Sequence, residues 1–447
     1  MRARSRILVA IACVACAASP ASAAEMGKFP YEAFERSDDC APCHAEIHEE
    51  WRQSLMSRSF THEWDEVEYF QLALPHALKL EKVSEVKGGC IACHGPLAFL
   101  SGDIPPKPVR EGTRANEGGS CEICHSITGS SEAVPYNFSY AIAPGSVKQG
   151  PRADAVPDGH EVRHSVFTTS PELCATCHDE QSPYGAWVKE TYREWKAGPY
   201  AREGTRCQDC HMYDAPGRAA EGGPERKDVA HHVFHGSHFE SKLAGALDLA
   251  LYAPETALSP GKTLEVRAEI FNGKAGHFVP SGSSEERMLW LEVWAVDPAG
   301  KRHHLPVKPK GFRGEELTIA GSKAIAYRDF GEILGLEDFR GLRRDGNVPD
   351  GARIFRRPFF NPAGEMTVCQ WYTAQNTTVD YRVGPRETKT ERFAWTLPKD
   401  LAKGPLTVEA KLYYAQIPSA VGEFFKLEKR EYAPLLVNGA ELRFDVR

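Results

Sequence analysis

The string Cys-x-x-Cys-His occurs five times in the first half of this 447-residue chain. Chance alone predicts about 0.01 such strings for a chain with 13 cysteines and 17 histidines. The cysteines of the copies are Cys40, Cys43, Cys90, Cys93, Cys121, Cys124, Cys174, Cys177, Cys207 and Cys210, and the histidines are His44, His94, His125, His178 and His211. Because every copy must present the same three side chains in the same way, the repeat constrains how this half can fold.

This spacing is the attachment signature of c-type haem. The two thiols add to the two vinyl groups of one porphyrin, and the histidine that follows supplies an axial ligand to the iron. The motifs therefore predict five covalently attached haem c groups. They also account for most of the cysteines, since Cys13 and Cys16 lie near the N-terminus. The remaining one, Cys369, is expected to be a small buried side chain.

Residues 1–24 have the pattern of a secretory signal peptide. Arg2, Arg4 and Arg6 precede an apolar run over 7–18, and Ala21-Ser22-Ala23 offers a cleavage site. We expect a periplasmic protein, with the cell surface or the extracellular space as alternatives. No stretch of the mature chain is apolar enough over the length of a membrane span. The net charge of −7 gives no reason to expect nucleic-acid binding.

The chain changes character near residue 243. All the motifs lie before this point, together with 14 of the 17 histidines. We therefore expect 25–242 to be a pentahaem cytochrome c domain, mainly helical and irregular. Apolar residues at helical spacing predict helices over 45–56 and 185–196.

The second half has the pattern of strands. Apolar and polar residues alternate over 264–270, 393–397 and 406–412, as in strands with one buried face. The sequence thus predicts an α+β chain, in which 243–447 forms an antiparallel β-sandwich-like domain. The Gly- and Arg-rich stretch 311–366 predicts connecting loops, and its arginines, which include Arg353, Arg356 and Arg357, are expected to be solvated.

The sixth ligand of each iron decides what the haems can do. An iron with two protein ligands suits electron transfer, whereas an open position can bind a small molecule. Twelve histidines lie after the signal peptide and outside the motifs, an abundant supply for five irons. The candidate distal ligands are His62, His76, His160, His164, His235, His238, His277 and Met56.

Several of these candidates have a second explanation. His235 and His238 belong to a dense cluster over 231–238, which could instead bind zinc or copper. His277 opens a turn in the second half and is equally well explained as a turn residue. Met56 lies at the end of a predicted helix, where an apolar contact with a porphyrin explains it somewhat better than ligation through its thioether.

The motifs and their surroundings resemble the multihaem cytochrome c-552/c-554 group. The resemblance is carried by the first motif with Trp51-Arg-Gln-Ser54, by Gly119-Ser-Cys121 at the third motif, by Glu194-Trp195 before the fifth, and by 276–282, 380–382 and 412–414 in the second half. The last three stretches are similar to the β-domain that often follows in such proteins. The chain departs from the family's Trp-x-x-Ser-x-His element, because Met56 stands where a histidine ligand is often found.

The resemblance implies electron transfer through closely packed haems in the periplasm or at the cell surface. It also implies redox partners such as other cytochromes or quinol-oxidising membrane complexes. Some relatives, similar to hydroxylamine oxidoreductase and pentahaem nitrite reductase, are enzymes instead. We favour an electron-transfer protein and keep two alternatives. One is an oxidoreductase that acts on a small nitrogen or sulfur compound at a five-coordinate haem, and the other is a subunit of a haem wire.

Overall fold

The computed structural model of the protein describes residues 22–307, 348–349, 351–376 and 380–447. All but the last three residues of the predicted signal peptide lie outside these ranges, as does most of the stretch 311–366. Among the described helices, none has the length and hydropathy of a membrane span.

The helices are short, and nearly all of them precede residue 243. They are α1 (Ser37–Cys40), α2 (Ala45–Gln53), α3 (Glu63–Val67), α4 (Leu74–Lys79), α5 (Val86–His94), α6 (Pro96–Ser101), α7 (Cys121–Ser126), α8 (Pro171–His178), α9 (Thr191–Ala197), α10 (Pro199–Arg202), α11 (Cys207–His211), α12 (Glu240–Leu243) and α13 (Ser419–Phe424). Four of the Cys-x-x-Cys-His motifs lie within α5, α7, α8 and α11, which set the two thiols about one turn apart, whereas the first motif begins at the last residue of α1.

Side chains inside or beside the motifs start several of these helices. Ser120 accepts a hydrogen bond from the N–H of Ile123 at 3.3 Å and so caps α7. The carboxylate of Asp209 accepts one from the N–H of Arg206 at 2.7 Å at the start of α11. These bonds are local, so the motif helices form from their own sequence.

One of the two predicted helices is partly wrong. The prediction over 45–56 corresponds to α2, which ends at Gln53 because the Ser54 hydroxyl bonds back to the Trp51 carbonyl at 2.7 Å. The first half of 185–196 is instead a strand over Trp187–Glu190, which pairs with the strand Asp179–Gln181 directly after the fourth motif. Tertiary pairing thus overrides a helical pattern there.

The strands are β1 (Ser22–Ala23), β2 (Ile127–Ser130), β3 (Tyr140–Ile142), β4 (Val147–Gly150), β5 (Glu161–His164), β6 (Asp179–Gln181), β7 (Trp187–Glu190), β8 (Asp214–Gly217), β9 (Arg226–Ala230), β10 (Asp248–Tyr252), β11 (Ala257–Leu258), β12 (Thr263–Phe271), β13 (Met288–Val296), β14 (Arg302–Leu305), β15 (Arg353–Ile354), β16 (Phe359–Phe360), β17 (Met366–Thr367), β18 (Gln375–Asn376), β19 (Thr388–Thr396), β20 (Gly404–Ala415) and β21 (Leu435–Val446). Those before residue 243 form small sheets of two or three strands. Those after it form one six-stranded sheet and two three-stranded sheets, among them the sheet of β16, β17 and β18.

Two sheets of the second half pack face to face. One has the order β10-β12-β19, and the other has the order β11-β21-β20-β13-β14, with β15 also paired to β13. The alternating side chains predicted to face inward do so, and Leu264, Ile270, Val408 and Leu412 share one buried core. The long pairings β12–β19 and β13–β20 are antiparallel. The predicted α+β fold with an antiparallel β-sandwich-like second half is confirmed.

A second core joins the two halves of the chain. Helix α3 continues through a π-helical turn over Glu68–Ala73 into α4. Trp64 and Leu72 of this segment pack in one buried cluster with Trp290 of β13 and with Trp371. Burying each such side chain contributes about 1.5–3 kcal/mol, so the junction is stabilised mainly by apolar contact. Cys369 is fully buried in the same cluster.

The described arginines of the stretch 311–366 are not solvated, and that prediction is wrong for them. Arg353 is fully buried and its Nε lies 3.0 Å from a carboxylate oxygen of Glu391 in β19. Arg356 is also buried, and Arg357 pairs with Glu190 at the end of β7. Part of this stretch therefore belongs to the β-domain core and its junction with the first half.

Candidate haem sites and their histidines

Four of the five motif histidines are held in the same way. The Nδ1 atom donates to a backbone carbonyl oxygen: His44 to Ala219 at 2.6 Å, His94 to Ser59 at 2.8 Å, His125 to Gln149 at 2.7 Å and His211 to His235 at 2.7 Å. Because a carbonyl can only accept, Nδ1 carries the proton and Nε2 keeps its lone pair. This is the tautomer and the orientation that a metal-ligating histidine requires.

The remaining motif histidine, His178 of the fourth motif, is buried. Burial, and then the nearby charge of Lys189, lower the pKa of His178 to about 4. The same effect of burial, followed by His277, lowers the pKa of His211 to about 4. Both imidazoles are therefore neutral at physiological pH, as an iron ligand must be.

Two further histidines face motif histidines across a gap that fits one metal ion. The ring centroids of His44 and His160 are 6.2 Å apart, and those of His125 and His232 are 6.4 Å apart. Two metal–imidazole bonds of about 2 Å, with Nε2 about 1.1 Å from each ring centre, would place the centroids about 6.2 Å apart. The residues present therefore fit a haem iron with two axial histidines at the first and third motifs.

The facing histidines share the hydrogen-bonding pattern of the motif histidines. Nδ1 of His160 donates to the carbonyl of Glu161 at 3.1 Å, and Nδ1 of His232 donates to that of Ala230 at 3.0 Å. Burial and the nearby His125 lower the pKa of His232 to about 4. Both rings thus keep Nε2 free of these bonds, which makes them suitable distal ligands.

His277 has the same pattern and reaches back from the β-domain. Its Nδ1 donates to the carbonyl of Phe278 at 2.8 Å. The charge of His277 lowers the pKa of both His211 and His178. At His211 it is the largest effect after burial, whereas at His178 the charges of Lys189 and His94 act more strongly. The turn that carries it is tied to the first half, because Glu194 of α9 accepts from the Phe278 N–H at 3.1 Å and the Ser281 hydroxyl at 2.7 Å. His277 is therefore placed near the fourth and fifth motifs.

Other predicted ligands use their ring nitrogens elsewhere. Trp371 Nε1 donates to Nδ1 of His76 at 3.1 Å, which leaves the proton of this buried ring on Nε2. His62 lies between the carboxylates of Asp65 and Glu431, at 3.0 and 2.8 Å, and its ring stands perpendicular to that of His238 with centroids 5.0 Å apart. None of these three rings faces a motif histidine at a haem-like distance among the described residues.

The remaining predicted ligands are placed as follows. His164 is exposed at the end of β5. The ring of His235 packs on Phe239 with centroids 4.1 Å apart, and its contribution to the fifth motif is the carbonyl that accepts from His211. Met56 lies against the backbone of Gly119, just before the third motif, where its carbonyl oxygen accepts from the Gly119 N–H at 2.8 Å.

Contacts between cysteines show which motifs are neighbours. The thiols of Cys40 and Cys121 lie close enough for each to shift the pKa of the other, as do those of Cys93 and Cys177 and those of Cys174 and Cys207. The third motif lies beside the fourth, since the pKa of Cys124 is raised first by burial and then by the charge of Cys177. The motifs thus form the series first, third, fourth, fifth, and the second is attached to the fourth.

Comparison with known proteins gives a family match and a solved structure of similar fold. Residues 39–126 match the family model described as cytochrome c554 and c-prime. The solved structure of a penta-heme cytochrome c552 from Thermochromatium tepidum matches 93% of this chain and 100% of that chain, with a TM-score of 0.61 and 19% sequence identity. The region 39–126 is thus similar to the cytochrome c554 family, and the chain has the fold of a pentahaem cytochrome c552. Its predicted resemblance to this group is confirmed.

The chain has no significant match among curated proteins. A CARDB domain from Pyrococcus furiosus matches 45% of this chain and 91% of that chain, at 13% identity and a TM-score of 0.18. That score is too low to carry an argument. The family match supports haem c as cofactor and haem-based electron transfer as the chemistry of the chain.

His232 is the ligand candidate that sequence reasoning missed. It stands in the dense cluster 231–238, whose other members His235 and His238 we favoured. The carboxylate of Glu50, on α2, bonds both to the ring of His231 and to the N–H of His232, the latter at 2.7 Å. Nothing in the sequence distinguishes His232 from its neighbours, because this contact joins residues 182 positions apart.

A group of buried charges lies near the second and fourth motifs. Glu285 and Glu286 are 4% exposed, and both oxygens of Glu285 are buried without a hydrogen-bond partner among the described residues. Burial, and then mutual repulsion with the other acids, raises the pKa of Glu285 and of Glu68. Burial also raises the pKa of Glu286, whose Oε2 accepts from Trp64 Nε1 at 3.2 Å. The pKa values of all three carboxyls therefore lie above the usual value, those of Glu68 and Glu285 well above it.

Proposed function

We propose that the chain is an exported cytochrome with five covalent haems that passes electrons between respiratory redox proteins. The observation that carries this proposal is the set of thiol contacts linking all five motifs. Each thiol pair belongs to two different motifs, as with Cys93 and Cys177. Since the thiols attach to the edges of porphyrins, adjacent thiols favour adjacent haem edges.

The residues of the chain have separate tasks in this proposal. Cys40, Cys43 and the cysteines of the other motifs would hold the haems, and the motif histidines would supply the proximal ligands. His160 and His232 would be the distal ligands at the first and third motifs, with His277 proposed for the fifth. When bound, the haems supply one-electron redox chemistry tuned by the axial ligands and by burial. The backbone carbonyls that accept from the Nδ1 atoms keep each ring in the ligating tautomer.

Export and domain organisation complete the proposal. The leader 1–24 would direct the chain to the periplasm, 25–242 would carry the haems, and 243–447 would support them through the shared apolar core and through His277. Partners would be other cytochromes or quinol-oxidising membrane complexes that meet the chain at an exposed haem edge. This division is supported by the position of α12, which ends at Leu243, and of β10, which begins at Asp248.

The proposal is tested on the mature protein purified from a host that matures c-type haems. Its mass should exceed that of the polypeptide by five haems, and its N-terminus should lie near residue 24. After reduction, added carbon monoxide should leave the visible spectrum unchanged, because every iron has two protein ligands. A count other than five haems, or a carbon monoxide complex at any haem, would contradict the proposal.

A second candidate function is the oxidation or reduction of a small nitrogen or sulfur compound. It is favoured by the protonated carboxyls Glu68, Glu285 and Glu286 together with Lys189. The charges of Glu68 and Lys189 both act on Cys90 of the second motif. Lys189 is held by Glu180, whose charge raises the pKa of Lys189 although burial would lower it. Buried proton donors beside a redox centre suit chemistry in which protons accompany electrons.

Among the described residues, a histidine ring faces the motif histidine at the first and third motifs and not at the second, fourth or fifth. A carbon monoxide complex at one haem would favour this enzyme function. Replacement of Glu285 by glutamine should then lower the turnover of hydroxylamine or nitrite while the haem count stays at five. A wild-type protein that forms no carbon monoxide complex, or that turns over neither compound, would exclude this enzyme function.

A further inference from the structure

Three ligand-type side chains from distant parts of the chain meet outside the haem sites. They are His62 before α3, His238 before α12 and Glu431 after α13, and one ligand atom of each lies within 4.8 Å of the other two. Nε2 of His62 is 2.8 Å from Oε2 of Glu431. Two imidazoles and one carboxylate form a frequent ligand set for zinc and other divalent transition metals.

The rings of His62 and His238 are not arranged as axial ligands of one iron. Their centroids are 5.0 Å apart and their planes are at 87°, whereas the haem-like pairs are separated by 6.2 and 6.4 Å. Two perpendicular rings can each direct one nitrogen toward a shared metal ion and so fill two adjacent positions of a tetrahedral or octahedral site.

A second observation points to a ligand at this cluster. Nδ1 of His62 lies 3.0 Å from a carboxylate oxygen of Asp65, while its Nε2 faces Glu431. A carboxylate on one ring nitrogen and a metal on the other is the recurring outer-shell arrangement of metal-binding histidines. Asp65 orients the ring and raises the basicity of the nitrogen that would bind.

The charges and the access of the cluster are suitable for a divalent cation. Glu431 and Asp65 bring two negative charges, and Arg287, whose charge acts on His238 and Asp65, brings one positive charge. The side chains of His62 and Glu431 are 11% and 14% exposed, so an ion can enter from solvent. Three protein ligands leave one coordination position open to solvent, unlike the four protein ligands of a closed structural zinc site.

We propose that His62, His238 and Glu431 bind one Zn²⁺ ion, with Asp65 as the residue that positions His62. The site joins the two halves of the chain, because two ligands precede residue 243 and the third follows it. It also adjoins the second motif, since the other oxygen of Asp65 lies 3.7 Å from Nδ1 of His94. Zinc binding therefore stabilises the junction and raises the midpoint potential of the haem at that motif.

The experiment uses the purified haem-loaded protein after treatment with a chelator. Titration with Zn²⁺, followed by calorimetry and metal analysis, should give one zinc per chain in addition to the haem irons. His238→Gln and Glu431→Gln should weaken zinc binding by at least tenfold, and Asp65→Asn should weaken it by about 10–100-fold. The matched control is Glu428→Gln, which removes an exposed carboxylate three residues before Glu431 and should leave binding unchanged.

Two further measurements do not depend on the variants. X-ray absorption at the zinc edge of the wild-type protein should show two imidazole nitrogens and a carboxylate oxygen, which haem iron does not obscure. Zinc should raise the potential of one haem in the wild type but not in Glu431→Gln. Wild-type protein that binds no zinc, or binds it equally well as Glu431→Gln, would show that His62 is only an ion-paired imidazolium. A new carbon monoxide complex in His238→Gln would make His238 a haem ligand and would also overturn the proposal.

Discussion

The imidazole rings of His44 and His160 face each other with centroids 6.2 Å apart. Each ring donates from Nδ1 to a backbone carbonyl, His44 to Ala219 and His160 to Glu161, so each points a free Nε2 elsewhere. The backbone groups that hold these rings come from the β8–β9 hairpin and from the start of β5. The first haem site thus depends on loops that follow it by more than 100 residues in the sequence.

Replacement of His160 by glycine should leave one haem iron with an open axial position. Loss of the distal imidazole leaves an empty axial position, so the reduced variant should bind one carbon monoxide per chain where the wild type binds none. The matched control is His164→Gly, because His164 is exposed at the other end of β5. If the two variants have identical difference spectra with carbon monoxide, His160 is not a ligand.

Glu50 should act as a positioning residue for His232. Its carboxylate bonds to the ring of His231 and to the N–H of His232, and Gln at this position loses the charge-assisted part of both bonds. Glu50→Gln should therefore convert a fraction of one haem to the high-spin form, visible in the resonance Raman spectrum. Glu49→Gln removes an exposed carboxylate that pairs with Arg52 and should not change the spin state. A fully low-spin Glu50→Gln protein would exclude this role.

Glu194 should hold the two halves of the chain together. It pairs with Arg382 at 2.7 Å, with the two side chains 6% and 3% exposed, and it anchors the turn that carries His277. Arg382 keeps a second partner, Asp380, at 2.7 Å, so Glu194→Gln does not leave a buried charge unpaired. We expect it to lower the free energy of unfolding by about 1.5–3 kcal/mol, the contribution of a hydrogen bond to a charged group.

The comparison for Glu194 is an exposed pair at the same junction. Glu203 lies 3.6 Å from Arg386, and both side chains are about half exposed. Glu203→Gln should change the free energy of unfolding by less than about 1 kcal/mol. Equal losses in the two variants, measured by denaturant titration, would mean that burial of the Glu194 pair is unimportant.

Glu285 should make the fold less stable as pH rises. Burial raises its pKa above the ordinary value of 4.5, so the folded state keeps a proton that the unfolded state releases. The stability that this proton provides is complete below about pH 4.5 and falls as pH rises toward the pKa of the folded state. Glu285→Gln, which is neutral at every pH, should therefore match the wild type at pH 4 and exceed its stability at pH 8.

This prediction is checked by the free energy of unfolding at the two pH values. Glu441→Gln, which replaces an exposed carboxylate of β21, should differ from the wild type by the same small amount at both. A Glu285→Gln protein that gains nothing at pH 8 would show that the side chain is ionised in the folded state and has a partner.

Much of the fold follows from local sequence. Alternation of apolar and polar residues predicted the strands around Leu264, Phe393 and Val408, because one face of each strand is covered by the opposite sheet. The helical pattern before Lys196 was partly wrong, because β7 pairs with the strand that follows the fourth motif. Arg353 was expected in a solvated loop, although it is fully buried beside Glu391. A pattern of single residues does not reveal a partner 38 positions away.

By itself, the sequence determined the number and spacing of the motifs and the α+β fold, and it predicted the covalent haem attachment and the proximal histidine at each motif. These depend on spacings of three or four residues along one helix turn. Only the tertiary structure decided which motifs are neighbours and which histidines face them. It selected His160 and His232 and directed His62 and His238 to Glu431. The reason is physical. A distal ligand must approach the porphyrin from the face opposite the proximal histidine, and the fold can bring that residue from a distant part of the sequence.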